Sequence, residues 1–204
     1  MACPSCSRPV PDGARFCPSC GHALATAAAR TGDEARRVVT VLFADVVGFT
    51  SLAEQRDPEQ VKRLVDAAFE RLVADVERHG GVVDKVLGDG IVALFGAPVA
   101  HEDDADRAVR AGLTMQETLA VFCRDHPSDA IRMRIGVNTG EVLVGTLAGT
   151  EYTALGDVVN TAARLQELAP TGAVLVGDAT RALCSRAVRF RRIEPLHIRG
   201  REQR

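Results

Sequence analysis

Two aspartates stand where apolar stretches of the sequence are interrupted. Asp45 follows the apolar run VVTVLFA, and Asp89 lies in a glycine-rich segment between VVDKV and IVALF. If these runs are neighbouring strands of one sheet, both carboxylates project from the same edge, where they could share two Mg²⁺ or Mn²⁺ ions. Asp-Gly also makes hairpin turns by itself, so Asp89 alone would be a turn residue. Together the two residues predict a site for divalent metal ions.

A second candidate metal site lies near the N-terminus, in a C-x2-C-x10-C-x2-C pattern formed by Cys3, Cys6, Cys17 and Cys20. Two pairs of thiolates suit tetrahedral zinc, and residues 1–24 hold too few apolar side chains for a core of their own. The pattern resembles a zinc ribbon, so we expect one structural Zn²⁺ per chain. Its only cations are Arg8 and Arg15, which favours a protein contact over nucleic acid.

The composition is that of a globular protein. The 204 residues are 46% hydrophobic and 25% charged, which argues against disorder and fibres, and a net charge of -2 gives no field to attract nucleic acid or anionic lipid. The start MACPSC is unlike a secretory signal, and no apolar run approaches the roughly 20 residues that span a bilayer. We therefore expect a cytoplasmic protein without membrane contact. In a reducing cytosol, Cys123 and Cys184 are expected to be buried thiols.

Strands and helices alternate along the chain in a way that positions the two aspartates. A strand from Val38 precedes Asp45, and a helix with one apolar face starts at Asp57-Pro58 and stops before Gly80. The later predicted elements are strands either side of Asp89, a helix over 103–124, strands over 132–137, 141–147 and 152–155, a helix over 157–168, and a strand-rich tail. This order predicts an α+β fold, a sheet with helices covering one face.

Three motifs then carry a family resemblance. They are FADVVGFT (Phe43–Thr50), KVLGDGIVALFG (Lys85–Gly96) and EYTALGDVVNTAARL (Glu151–Leu165). In this order and spacing they resemble the catalytic domain of the class III nucleotidyl cyclases, from about Val38 to Arg201. The resemblance implies a ferredoxin-like, palm-type sheet. It divides the chain into a zinc ribbon over 1–24, a linker over 25–37 and a catalytic domain over 38–204.

The resemblance also implies how the metals and phosphates are held. Asp45 and Asp89 would bind both Mg²⁺ or Mn²⁺ ions of a site, with the backbone carbonyl of Val46 as a further ligand. Backbone N–H groups around Phe49 and Thr50 would bind the terminal phosphates, an arrangement natural at the entrance to a helix. Phe49 could also be a buried anchor and Thr50 a helix cap, and these roles are compatible with phosphate binding.

Two further residues match the positions that read the base in this family. Lys85 could donate to adenine N1, and the Thr153 hydroxyl could accept from the 6-amino group. Threonine here resembles a bacterial and soluble adenylate subclass, some of whose members respond to bicarbonate, whereas metazoan adenylate members carry Asp. Guanylate members tend to carry Glu and Cys, and neither is present. A hydroxyl also donates, so Thr153 could tolerate guanine.

The remaining predicted site residues lie late in the chain. Asn160 and Arg164 are four apart on one helix and share a face. The family uses this pair to orient the ribose and to stabilise charge on the α-phosphate. Arg199 matches a basic residue near the terminal phosphates.

The resemblance implies an ATP-dependent adenylate cyclase that forms cyclic AMP and pyrophosphate, with each active site shared between two subunits of a homodimer. A regulatory protein or domain could act through the zinc ribbon or through a region beyond residue 204. Three alternatives stay open. They are a catalytically silent nucleotide-binding regulatory module, a guanylate cyclase and, more remotely, a zinc-dependent nucleic-acid-binding protein.

Overall fold

The computed structural model describes residues 35–47, 57–126, 131–147, 151–185 and 188–193, with the backbone alone for 35, 58, 145–147 and 151–155. The strands are β1 (Ala35–Val47), β2 (Val82–Leu87), β3 (Gly90–Phe95), β4 (Arg132–Leu147), β5 (Glu151–Leu155) and β6 (Val174–Val176). The helices in these ranges are α1 (Pro58–Arg78), α2 (Asp104–Asp125), α3 (Asp157–Leu168) and α4 (Asp178–Leu183). None of these helices is both long and apolar enough to cross a lipid bilayer.

The sheet has β1 at its centre. Its strand order is β2-β3-β1-β4-β5, all antiparallel, and the short β6 pairs parallel with β4. Strand β1 pairs along its whole length with β4, from Ala35 opposite Val144 to Val47 opposite Arg132. The α+β class predicted from the sequence is confirmed.

Alternate residues of β1 face opposite sides of the sheet. One side holds the main core, where Leu42 and Ala44 pack with the long helices α1 and α2. The other side carries Val41 in a smaller core that includes Ala162 of α3. The long helices therefore share one face, as predicted, but α3 packs on the opposite face. Glycines make this possible, because β4 presents Gly136 without a side chain directly under α3.

Strand β4 is longer than the sequence indicated. Two strands were predicted over 132–137 and 141–147, with a break at Asn138-Thr139-Gly140. The structure instead continues the ladder through this segment, with Thr139 opposite Thr40 and their hydroxyl oxygens 2.8 Å apart. A buried partner for the Thr139 hydroxyl removes the reason for a turn there.

The helix boundaries follow the sequence signals closely. Asp57 caps α1 by accepting from the Glu59 N–H at 2.9 Å, and α3 spans the predicted 157–168. The tail was predicted to be rich in strands, and its described part, residues 169–185 and 188–193, contains the short strand β6 and the helix α4. A buried contact stabilises α4, because the Thr180 hydroxyl lies 2.9 Å from that of Thr139.

Candidate functional site

Asp45 and Asp89 lie together at one end of the sheet. Asp45 pairs with Gly90, the residue after Asp89. The Val46 N–H donates to the Asp89 carbonyl oxygen at 3.0 Å, which holds the β2–β3 turn against the end of β1. In an extended strand the N–H and C=O of one residue point to the same side, so the Val46 carbonyl also faces this turn. The structure thus brings three predicted metal ligands to one place.

The Asp45 carboxylate is held at an electrostatic cost. Burial raises its pKa above the ordinary value, and the negative charge of Asp89 raises that pKa further. The Arg134 guanidinium, a hydrogen bond from Gln166 and the Val46 N–H act in the opposite direction, but they do not fully offset the rise. A divalent cation between the two carboxylates would relieve this repulsion.

Glycines on both sides of Asp89 shape the turn. Gly88 has a φ of 59°, in the left-handed region that glycine adopts without strain. A Cβ on Gly90 would lie 3.2 Å from the Ala44 carbonyl oxygen and 3.4 Å from Asp45 Oδ1. The missing side chain therefore leaves space beside that carboxylate oxygen for a ligand.

The donor set fits Mg²⁺ or Mn²⁺. Within the described ranges, no three His, Cys, Asp or Glu side chains lie close enough to form a metal cluster. Mg²⁺ is commonly held by one or two carboxylates and completes its shell with water and substrate phosphates. The two carboxylates and the Val46 carbonyl therefore suit an ion that binds together with a phosphate-bearing ligand.

Lys85 lies on the outer strand β2, four residues before Asp89. The β2–β3 register shifts between Val83 and Lys85, a bulge at Asp84 that puts an acidic side chain next to the lysine. Lys85 Nζ lies 3.3 Å from Asp84 Oδ2, and the Asp84 side chain is only 5% exposed, against 41% for Lys85. A buried carboxylate thus pairs with the ammonium group of a lysine whose side chain is partly exposed.

Helix α3 carries Asn160 and Arg164 on the side that faces away from the sheet. Its buried positions include Ala162 and Gln166, which pack over β4. A helix turns about 200° in two residues, so Arg164 points nearly opposite to both of them. Asn160 is exposed and Arg164 half-buried. Within one chain these two residues and Asp45 therefore lie on opposite sides of α3.

The other predicted residues are less fully described. The Thr153 backbone pairs with Gly145 on β5, and β5 and β2 stand at opposite ends of the strand order, so strand pairing does not bring Thr153 beside Lys85. The remaining predicted ligands lie outside the described residues: Phe49, Thr50, Arg199, Cys3, Cys6, Cys17 and Cys20.

Three residues around the site were missed from the sequence: Asp84, Arg134 and Gln166. Gln166 and Arg134 each carried a signal. Gln166 is a large polar residue on the buried face of α3, beside Ala162 and Leu165. Arg134 alternates with the buried Met133 and Ile135, which puts a charge on the same face of the sheet as Asp45. The partner strand of Asp45 could not be known from the sequence, so neither signal could be assigned to this site.

Comparison with known proteins gives two family matches. Residues 33–204 match the model described as the adenylate and guanylate cyclase catalytic domain. Residues 3–24 match the model of a zinc-ribbon domain. Both resemblances drawn from the sequence motifs are therefore confirmed.

Curated relatives are longer than this chain. Adenylate cyclase 1 of Rhizobium meliloti is 33% identical over 174 residues, which cover 81% of this chain and 26% of the relative. An uncharacterized protein of Mycobacterium tuberculosis is 36% identical over 156 residues, covering 73% of this chain and 28% of its own. The chain thus spans about a quarter of the length of these relatives.

Solved structures share the fold. The guanylyl cyclase Cya2 superposes with a TM-score of 0.79 at 32% identity, covering 83% of this chain and 89% of that one. The adenylyl cyclase CyaB from P. aeruginosa gives 0.71 at 31% identity, with coverages of 74% and 82%. The predicted fold is confirmed, and the two neighbours are a guanylyl cyclase and an adenylyl cyclase.

Proposed function

Since this chain belongs to the adenylate and guanylate cyclase catalytic-domain family, we propose that it converts ATP to 3',5'-cyclic AMP and pyrophosphate as a homodimer. The observation that carries the proposal is the pair Asp45 and Asp89, whose carboxylates repel each other and lie at one end of the sheet beside Gly90, which has no side chain. Two carboxylates that repel each other at one place are unfavourable for the fold, so a bound cation is the best explanation of their position.

The chain's own residues would act as follows. Asp45, Asp89 and the Val46 carbonyl hold two Mg²⁺ or Mn²⁺ ions, which when bound supply Lewis-acid stabilisation of the nucleotide phosphates. Asn160 orients the ribose, and Arg164 stabilises the charge that grows on the α-phosphate. The ribose 3'-oxygen forms a bond to the α-phosphorus, the bond to pyrophosphate breaks, and the 3'-hydroxyl proton is released.

Arg134 would add to this set. Its Nε is buried and has no hydrogen-bond acceptor among the described residues, although its Nη1 donates to the Glu167 carbonyl oxygen at 3.3 Å. A buried N–H without an acceptor is unfavourable, and a phosphate oxygen at the neighbouring metal site would satisfy it. Phe49 and Thr50, through their backbone N–H groups, and Arg199 would complete the binding of the terminal phosphates.

The orientation of α3 supports the dimer. Asn160 and Arg164 face away from the sheet, while Asp45 lies beneath the same helix. One chain therefore cannot direct both groups at one α-phosphate without moving α3. A two-fold dimer solves this, because α3 of one chain can face the metal residues of the other and both sites form at once.

Lys85 and Thr153 would select the base. The pair supplies a donor for adenine N1 and an acceptor for its 6-amino group, which favours ATP. A guanylate cyclase is the second candidate, because the structural neighbour Cya2 is a guanylyl cyclase and a threonine hydroxyl can also donate. The absence of Glu and Cys at these two positions favours the adenylate reading.

The direct test is to incubate the purified chain with Mn²⁺ and either ATP or GTP and to identify the products by mass spectrometry. We expect cyclic AMP from ATP, and no product from the Asp45→Asn variant. Cyclic GMP as the main product would establish the second candidate. Nucleotide binding without product in either case would show a silent regulatory module.

A further inference from the structure

Gln166 connects the metal residue Asp45 to helix α3. Its side chain is buried on the sheet-facing side of the helix, and Nε2 donates to Asp45 Oδ2 at 3.4 Å. The distance is long for an N–H···O bond, so the contact can shorten or break as the carboxylate moves. The opposite oxygen, Oδ1, is the one beside the space left by Gly90.

The helix cannot readily move away from this contact. A Cβ built on Gly136 would fall under 3.0 Å from both the Ala162 carbonyl oxygen and the Gln166 backbone nitrogen, so the backbone of α3 rests directly on β4. Arg134 adds a second tie, since its Nη1 donates to the Glu167 carbonyl oxygen near the end of α3. The last turn of α3 is thus held at the metal site by two side chains.

The first turn of α3 is attached further along the same strand. Asn138 Nδ2 donates to the Val158 carbonyl oxygen at 3.3 Å, and a Cβ on Gly140 would lie 2.7 Å from the Val158 side chain. The helix is therefore supported along its length on β4. Because α3 is held against β4 at both ends, a pull at Gln166 would shift the helix along the strand as one unit and would carry Asn160 and Arg164 with it.

We propose that Gln166 is a positioning residue that couples metal binding at Asp45 to the position of α3, and so links the two active sites of a dimer. The inference rests on the proposed function, in which α3 of one chain supplies Asn160 and Arg164 to the partner's site. An ion that draws the Asp45 carboxylate toward Asp89 changes the length of the Gln166 contact. Metal binding at one site thereby changes the positions of Asn160 and Arg164 at the other site, so the two sites do not act independently.

Mn²⁺ alone is the probe, and amide hydrogen exchange of residues 157–168 is the readout. In the wild-type protein, Mn²⁺ should slow exchange in α3 more than in α2, since α2 packs on the other face of the sheet. The Gln166→Met variant keeps the length and burial of the side chain but has no N–H donor. It should lose the selective slowing in α3 and bind Mn²⁺ about 2- to 12-fold more weakly, the range for an ordinary hydrogen bond, since the contact is long.

The Glu167→Ala variant is the matched control, because its exposed side chain lies on the same turn and its carbonyl oxygen is retained. It should respond to Mn²⁺ like the wild type. Activity measurements distinguish a positioning role of Gln166 from a catalytic role. Gln166→Met should raise the Mn²⁺ concentration for half-maximal rate more than it lowers the maximal rate.

Wild-type protein that binds Mn²⁺, measured by electron paramagnetic resonance of the free ion, without a selective effect on α3 overturns the coupling. A Gln166→Met variant with an unchanged exchange response overturns the role of Gln166. If Gln166→Met does not fold, Gln166→Asn, one methylene too short to reach Oδ2, carries the same expectations. Failure of the proposed function is distinct, since it shows as absent product from ATP whatever the exchange response.

Discussion

Arg134 lies directly opposite Asp45 in the antiparallel pairing of β1 with β4. Its positive charge lowers the pKa of the Asp45 carboxyl, against the larger raising effects of burial and of Asp89. The same guanidinium donates to the Glu167 carbonyl oxygen of α3. One side chain of the sheet therefore acts electrostatically on Asp45 and donates a hydrogen bond to the helix that carries Asn160 and Arg164.

Asp45→Asn should stabilise the metal-free protein at neutral pH. Because the folded pKa of Asp45 lies above its ordinary 3.8, stability falls as pH rises through the interval between the two values and stays lower at pH 7. The asparagine side chain does not ionise, so the variant does not lose this stability as pH rises. The gain should stay below about 1 kcal/mol, since the carboxylate is partly screened by solvent. Thermal melting with and without Mn²⁺ measures it, and only the wild type should be stabilised by the ion.

The control for that variant is Asp66→Asn on the exposed face of α1, where Asp66 pairs with Lys62. It should change stability little, because surface ion pairs contribute about 0 to 1 kcal/mol. Equal shifts for the two variants would show that Asp45 has no special electrostatic cost.

Mixing Asp45→Asn with Arg164→Ala should restore activity. Each variant alone should be inactive or nearly so, Asp45→Asn through loss of its metals and Arg164→Ala through a fall of roughly 100- to 1,000-fold in kcat, by analogy with removal of an oxyanion donor. In a heterodimer one site carries both defects and the other carries none. Activity per heterodimer should reach about half the wild-type value if the sites are independent, and coupling through α3 would lower that fraction.

Differently tagged chains are needed to verify that subunits have exchanged. Verified heterodimers without activity would contradict a site shared between chains. The remaining explanations would be an active site within one chain or a catalytically silent module.

Combining Lys85→Glu with Thr153→Cys should shift the preference from ATP toward GTP, because the donors and acceptors that meet the base edge are exchanged. Total activity is expected to fall as well, since Lys85 also pairs with Asp84. The ratio of kcat/KM for the two nucleotides is the measurement. A variant that stays active with an unchanged ratio would remove both residues from base reading.

Gly136→Ala should destabilise the fold by about 1 to 3 kcal/mol, the usual cost of forcing extra atoms into a packed interior. Its Cβ would overlap the backbone of α3, which cannot rotate aside as a side chain could. Gly112→Ala is the matched control. That glycine lies within α2, its Cβ would meet side chains only at 3.4 Å, and alanine gains up to about 1 kcal/mol in helix propensity. Urea unfolding of the two variants gives the comparison.

Replacing Cys17 and Cys20 with Ser should remove one zinc per chain and unfold the segment up to about Gly21, since thiolate ligands hold such small units together. The catalytic domain should retain its melting temperature and product. Elemental analysis of the wild type and variant tests the zinc content. Wild-type protein without zinc, or a double variant that no longer folds at all, would contradict a separate structural zinc unit.

The sequence predicted most of the elements because their signals are local. Asp57-Pro58 marks the start of α1, and Pro170 follows the end of α3, as the structure has them. The continuous β4 could not be predicted, since the strand through Thr139 depends on a hydroxyl contact with Thr40, 99 residues earlier in the chain. Two strands were predicted on either side of Asn138-Thr139-Gly140, and the pairing with β1 joins them into one.

The candidate site also contains one part that the local sequence predicts and one part that it does not. Asp45 and Asp89 could be expected to meet, because a hairpin and its neighbouring strand bring them together whatever lies elsewhere. The contact from Gln166 to Asp45 joins residues 121 apart and depends on α3 crossing the face opposite to α1 and α2. No local pattern encodes which face a helix covers, so this contact required the structure.

Strand β1 begins at Ala35 and reaches Asp45 ten residues later, a span of about 33 Å at 3.3 Å per residue. Whatever precedes residue 35 in the chain therefore joins the domain at the end of the sheet remote from the carboxylate pair. This makes the junction suitable for grafting. A foreign sensor spliced there would leave the catalytic end unaltered, and its signal could act only along the strand or by changing how two chains meet. Chimaeras that differ only upstream of Ala35 should thus share one intrinsic turnover rate and differ in how it is switched.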